Sequence, residues 1–321
     1  MNTNLQGSRC PASFGRVIAS LSLVALAILL SGRGHRAQSL SYSRGQNVTP
    51  AFEGWETNAD GSSSFLFGYM NANWEEEVDV PIGPDNSFDL LGADLGQPTH
   101  FLPRRNRFVF KVPVPKGFGN QELVWTLTSH GVTDSAYASL RPDYFIDNVV
   151  IASETGALGA GWSDPTMRAN KPPAVTVEGE QTRRVQVGQP LQLVAFVTDD
   201  GIPQAPGQGA PMPDPETVAR QSMMPPHRIT VDKALGLYLS WFVYRGSGKV
   251  TFDPVQVKPW EDTRAGANSP WAPLWIVPPL PPANKWVAQA TFDTPGTYLL
   301  RARADDGGLL ADAELTVTVT R

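Results

Sequence analysis

The chain holds one cysteine, Cys10, in 321 residues. A single thiol excludes a disulfide framework and any zinc site built on cysteine. Histidine is scarce too: His35, His100, His130 and His227 all stand more than five residues apart or outside the body of the chain. That spacing offers no metal-ligand pattern, so His100 and His130 read as isolated loop or strand-end residues. Basic charge is in deficit, with 26 Lys and Arg against 31 Asp and Glu, which leaves no electrostatic footprint for nucleic acid. No stretch beyond the first forty residues keeps the 3.6-residue apolar period of a helix. The sequence also lacks a Gly-x-Ser-x-Gly elbow, and Gly246-Ser247-Gly248 reads as a strand connection rather than a phosphate loop.

What the chain has in quantity is turn chemistry: 29 prolines and 29 glycines. That much proline disfavours long helices and demands many loops, and the length suits about two domains. Residues 17–30 form an uncharged apolar run preceded by Arg9 and Arg16, with no acid before Glu53. This is the layout of a secretory leader. A helix of that length spans about 21 Å, short of the roughly 30 Å of a bilayer core. The expectation is therefore a signal peptide over 1–37 that leaves with Cys10. A cysteine-free remainder suits a bacterial periplasm or cell surface, with no membrane span in the mature protein. The remainder divides into a flexible segment at 38–50, a sandwich at 51–153, a linker at 154–172 and a second sandwich at 173–321.

The fold class expected is all-β, two β-sandwiches, the first jelly-roll-like or another small sandwich. In the first segment, Phe108, Phe110, Val112 and Val114 alternate on one face, and Leu123, Trp125 and Leu127 repeat the pattern. The glycine-containing link between them predicts an antiparallel hairpin. Residues 144–152 read as a last, continuously apolar strand. In the second segment, strands are expected at 174–177, 191–197, 238–244, 288–292, 297–304 and 313–319, spaced as in an immunoglobulin-type sandwich. Two proline-rich loops, 202–227 and 254–284, are longer than compact domains usually carry.

Residues 193–203 read LVAFVTDDGIP, residues 239–252 LSWFVYRGSGKVTF and residues 290–308 ATFDTPGTYLLRARADDGG. These stretches resemble the PKD type of immunoglobulin-like domain of bacterial surface proteins, carried most specifically by Trp241 and Pro295-Gly296-Thr297-Tyr298. The resemblance implies core roles for Trp241 and Tyr298. The first segment is similar to uncharacterised exported bacterial proteins, which implies no activity.

No catalytic or cofactor-binding residue stands out. Calcium is the one cofactor considered: Asp85, Asp89, Asp199, Asp200, Asp305 and Asp306 are oxygen ligands on glycine-rich turns, though an ordinary turn role is the favoured reading of them. The run Glu75-Glu76-Glu77 with Asp79 reads as a solvated acidic edge, and Arg104, Arg105 and Arg107 as a local salt-bridged edge. Aromatics in proline-rich loops or at strand ends (Trp260, Trp271, Trp275, Trp74 and Trp55) are the recognition candidates. The function expected is a non-enzymatic, exported binding or scaffolding protein that recognises an envelope protein through these loops. The alternative is a carbohydrate-binding module or accessory protein of a secreted hydrolytic system, recognising a surface glycan.

Overall fold

The structure is a computed structural model that describes residues 42–155, 165–204, 216, 220, 235–260 and 277–321. The leader, Cys10, Trp271, Trp275 and most of both proline-rich loops lie outside the described residues. The chain is all-β: strands dominate, and the short helices serve only as covers and turns.

The first sandwich opposes two three-stranded sheets. One is ordered β1 (Val48–Thr57), β2 (Ser63–Asn71), β6 (Arg104–Val114); the other is β4 (Asn86–Phe88), β7 (Leu123–Ser129), β8 (Val132–Ala138). A two-stranded pair, β3 (Val78–Asp79) with β5 (His100–Phe101), closes one end. The core follows from period-2 alternation: Leu123, Trp125 and Leu127 are fully buried between half-buried neighbours. Phe67 stacks on Phe110 and meets Trp125 edge-on. Buried asparagines do the polar fastening. Asn86 donates to the carbonyls of Val80 and Pro98 and accepts from Trp125 Nε1, so it ties β3, β5 and the core together.

Two sequence expectations are corrected here. Strands β6 and β7 are not a hairpin: β6 pairs with β2, while β7 pairs with β4 and β8 in the opposing sheet. The connection through Lys116 and Gly117 turns the chain from one sheet to the other. Nor do Phe108 and Phe110 share a face. A bulge opposite Phe67 and Tyr69 puts Phe108 at φ 50°, so Phe110 joins the sandwich core while Phe108 packs with Leu66, Ile146 and Ile151.

Residues 144–152 are likewise not a strand. A helix, α1 (Asn148–Thr155), occupies that stretch. Its β-branched run Val149-Val150-Ile151 favours a strand in isolation, but Asp147 caps the helix by accepting from the Val150 amide at 3.0 Å. Burial of Ile151 and Ala152 against Leu66, Phe108 and Leu309 completes the override.

The second sandwich packs the sheet β13 (Val250–Asp253), β14 (Lys285–Phe292), β11 (Pro190–Thr198), β9 (Ala174–Val177) against β10 (Thr182–Gln186), β16 (Leu310–Thr320), β15 (Gly296–Asp305), β12 (Tyr238–Arg245). The first strand divides between the sheets, with β9 antiparallel to β11 and β10 parallel to β16. This is the ABED and CFG arrangement of an immunoglobulin-like sandwich. Trp241 fills the core from the third strand position, where Ig-type domains keep a buried tryptophan. Tyr298 forms the tyrosine corner: its hydroxyl lies 2.9 Å from the Thr294 carbonyl and 2.7 Å from that of Ser247. Gly246 and Gly248 yield the space, since a Cβ on either would sit within 2.9 Å of the Tyr298 side chain. Sequence reading missed β10, whose exposed, polar alternation gives little apolar signal, and implies β13 only as the strand beyond Gly246-Ser247-Gly248.

Candidate recognition surface at the seam

Tyr42–Arg321 form one compact unit, and the contact between its sandwiches is built on the outer face of the β12–β15–β16 sheet. Antiparallel register sets three rows there: Tyr238 with Asp305 and Leu310, Ser240 with Arg303 and Asp312, Phe242 with Arg301 and Glu314. The inward residues between them, Ala302 and Ala304, are small and fully buried in the second core. The outward arginines are buried as well, because the first sandwich covers them. Arg303 forks onto Asp312 with two 2.8 Å bonds. Arg301 bonds Glu314 at 2.5 Å, stacks 3.4 Å over the Tyr244 ring and donates to the Val109 carbonyl of the first sandwich at 2.6 Å. Burial works against charge on both guanidiniums, but Tyr244, Asp312 and Glu314 around Arg301, and Asp312 with Asp305 around Arg303, hold them protonated.

The end of β12 closes the seam residue by residue. Tyr244 donates its hydroxyl to the Gly96 carbonyl at 2.6 Å. Arg245 donates to the Gln97 carbonyl and grips Asp94 with both terminal nitrogens. The Gly246 amide donates to Thr99 Oγ1. Phe242 and Tyr244 join the first sandwich's core from the second.

Two clefts open where this seam meets the β3–β5 end. One, about 460 Å³, is lined by Thr99, Arg245, Ser247, Thr297, Leu299 and Thr316 among others. Its neighbour, about 430 Å³, runs along residues 78–85 to Thr128, Ser129 and His130. Asp79 and Pro81 line both. Behind Asp79 lies His100, only 5% exposed. Strand register explains the pair: Asp79 is the cross-strand partner of His100, and Glu77 shares the face of Asp79 two residues earlier. Asp79 Oδ1 takes His100 Nδ1 at 2.7 Å and Glu77 Oε2 takes Nε2 at 3.0 Å. Burial pulls the imidazole pKa down, but bonds to the two carboxylates outweigh it and raise it to about 9. The same bond from His100 holds Glu77 below its usual value.

This corrects the reading of isolated histidines beside a solvated acidic edge. His100 is clamped by two members of the acidic run and His130 Nε2 lies 3.2 Å from a third, Glu76. The signal was in the sequence, as Glu-x-Asp alternation on a strand, but the partner histidine is 21 residues away.

The candidate residues fall in several places. Trp55 donates Nε1 to the Arg141 carbonyl and packs edge-on against Phe145. Trp74 lies under the Arg104 guanidinium at 4.0 Å. Trp260 is partly buried against the first sandwich's core although it belongs to the second segment. Arg105 and Arg107 pair with Glu53, and Arg107 also with Glu154.

The acidic candidates act in turns. Asp89 accepts the Val124 amide, Asp199 the Gly201 amide and Asp200 the amides of Ile202 and Lys171. Asp305 accepts from Gly307 and Tyr238; Asp306 accepts from Gly308, Leu309 and Asn170. Asp85 takes the Thr128 amide on its backbone carbonyl and lines the smaller cleft. Desolvation lifts Asp306 to about 7. Among the described residues no group of three His, Cys, Asp or Glu could hold a metal ion, and no helix is long and apolar enough to cross a membrane.

No protein-family model matches the chain, and no curated protein matches it. Among solved structures, the chain is similar to the S-layer protein SbsC at 8% identity and a TM-score of 0.22, covering 82% of this chain and 24% of that one. It is similar to the N-terminal eight Ig domains of Down Syndrome Cell Adhesion Molecule at 9% identity, TM-score 0.22, covering 86% and 24%. A third is a structure of Clostridium thermocellum CbhA fibronectin(III)-like modules, at 9% identity, TM-score 0.20, covering 85% and 94%. The chain spans about a quarter of the length of the first two. Overlap this slight carries no weight for activity, and the all-β sandwich assignment stands on the chain's own sheets.

Proposed function

We propose that the protein is a non-catalytic binding or scaffolding protein of the bacterial periplasm or cell surface, in which a clamped pair of sandwiches presents proline- and tryptophan-rich loops to a protein partner. One observation carries this reading: the ionic seam, in which Arg301, Tyr244 and Arg245 fasten two sandwiches into one body. Breaking the Arg301 or Tyr244 contact would strand a buried charge or hydroxyl, which resists hinge motion. A rigid body is the setting in which loops do recognition, and prolines reduce the entropy such loops lose on binding.

Export is supported by the apolar run at 17–30 behind Arg9 and Arg16. A non-catalytic role is supported by His100, whose two ring nitrogens are both taken by carboxylates and so offer no free base. The test is in-envelope crosslinking of the full chain against a variant with Trp260, Trp271 and Trp275 changed to Ser. A specific protein adduct that the variant loses is the result expected. Equal adducts from both proteins, or none from either, would contradict partner recognition through these loops.

A further inference from the structure

The strongest unassigned feature is the pair of clefts on either side of Asp79. Each has a volume usual for a small-ligand site, about 300–1,000 Å³. Their shared carboxylate is unusually well fixed. His100 takes Oδ1 at 2.7 Å from a buried position, while Asp79 itself stays 37% exposed. Oδ2 makes no bond among the described residues, and because Asp79 lines both clefts it is an available acceptor there. Burying an imidazolium to hold two exposed carboxylates, Asp79 and Glu77, is costly, and the fold gains in Asp79 a fixed acceptor at the junction of two clefts in return.

The rest of the lining sets the ligand's chemistry. The smaller cleft carries two carboxylates, Asp79 and Asp85, beside His130, whereas in the larger one Asp79 is balanced by Arg245. Balanced lining favours a neutral guest over an ion. Hydroxyl groups are plentiful, with Ser247, Thr297 and Thr316 around the larger cleft and no hydrogen bond from their side chains among the described residues. Pro81 and Leu299 add apolar surface between them. The larger cleft's floor comes from β15 and β16, and both strands are paired on both edges. An extended peptide therefore cannot add itself as a strand there. Recognition falls to side-chain hydroxyls, a carboxylate and short apolar walls.

We propose that the two clefts flanking Asp79 form one site for a neutral linear oligosaccharide, with Asp79 Oδ2 and the hydroxyls of Thr297 and Thr316 bonding to sugar hydroxyls. Pro81 and Leu299 meet the apolar face of a sugar ring. The site is independent of the proline-rich loops and does not rest on their recognising a protein.

The test is calorimetric titration of the full chain with cellotetraose, chitotetraose and mannotetraose, with tri-lysine as the cationic control. At least one tetrasaccharide binds at sub-millimolar strength. Asp79→Asn, which keeps shape but weakens the acceptor, and Thr316→Val, which cannot disturb His100, each weaken it about tenfold. Tyr137→Ala, opposite Val124 at the end of the β7–β8 pair away from Ser129 and His130, leaves it unchanged, and circular dichroism confirms that all three variants fold. The proposal is overturned if no tetrasaccharide binds at millimolar concentration, if binding survives both cleft substitutions, or if tri-lysine alone binds. Because the loop tryptophans are untouched, failure here leaves the crosslinking result standing on its own.

Discussion

Arg301 Nη1 donates to the Val109 carbonyl at 2.6 Å, joining residues 192 positions apart in the chain. This bond crosses from the second sandwich to the first, and the donor is a buried guanidinium. Replacing it with alanine removes that bond, the Tyr244 stacking and the counter-charge of Asp312 and Glu314 together. Arg301→Ala is expected to lose about 3 kcal/mol in urea unfolding, the usual scale for breaking a buried pair. Arg301→Lys should recover only part of this, because an ammonium cannot fork between Val109 and Glu314.

Stability should fall in two stages as pH rises. The folded pKa of Asp306, about 7, lies above its ordinary value of 3.8, so the folded state holds a proton that the unfolded chain has released. Stability therefore declines from about pH 4 to pH 7 and is flat beyond, by an amount of order 3 kcal/mol. His100 is raised from 6.5 to about 9; its contribution is complete below pH 6.5 and is lost as pH climbs through 9. Asp306→Asn should remove the first stage and His100→Gln the second, read from urea midpoints across pH. In Asp306→Asn the new amide nitrogen takes the place of Oδ2, so Asn170 must flip to turn Oδ1, rather than Nδ2, toward it.

At the tyrosine corner, Tyr298→Phe should cost about 1 kcal/mol for the hydroxyl's bonds to Ser247 and Thr294. Gly246→Ala should cost more, about 2–3 kcal/mol. It puts a Cβ within 2.6 Å of the Tyr298 ring at a φ of 128°. Thermal melts of the two variants check the order. Equal losses would mean that the loop before β13 relaxes around the new methyl.

Helix α1 depends on its cap. Asp147→Ala should lower stability by about 1 kcal/mol and speed amide exchange at Val150 and Ile151, which the Asp147 side chain and carbonyl hold. Exchange in β7, whose core is elsewhere, should not change.

What could be read from the sequence was what repeats locally. The Ig-like segment showed itself through alternation and through Pro295-Gly296-Thr297-Tyr298, because a strand and its corner are built from neighbours. The seam did not, since Arg301 and Arg303 alternate with Ala302 and Ala304 just as solvated residues would. Only the covering sandwich makes them interior. The same holds for Asp79 and His100, whose meaning comes from register across two short strands. Residues 144–152 misled because Val149, Val150 and Ile151 favour a strand, while the cap at Asp147 and the surface under α1 decide for a helix.

The central claim is that the two sandwiches are one rigid body held by the ionic seam. Its most direct test is the distance distribution between spin labels on Tyr137→Cys and Val287→Cys, in a Cys10→Ser background, by pulsed electron resonance. Both sites are exposed, one on each sandwich. A single narrow distribution that broadens when Arg301→Ala is added is the result predicted; a broad distribution with Arg301 in place would contradict it.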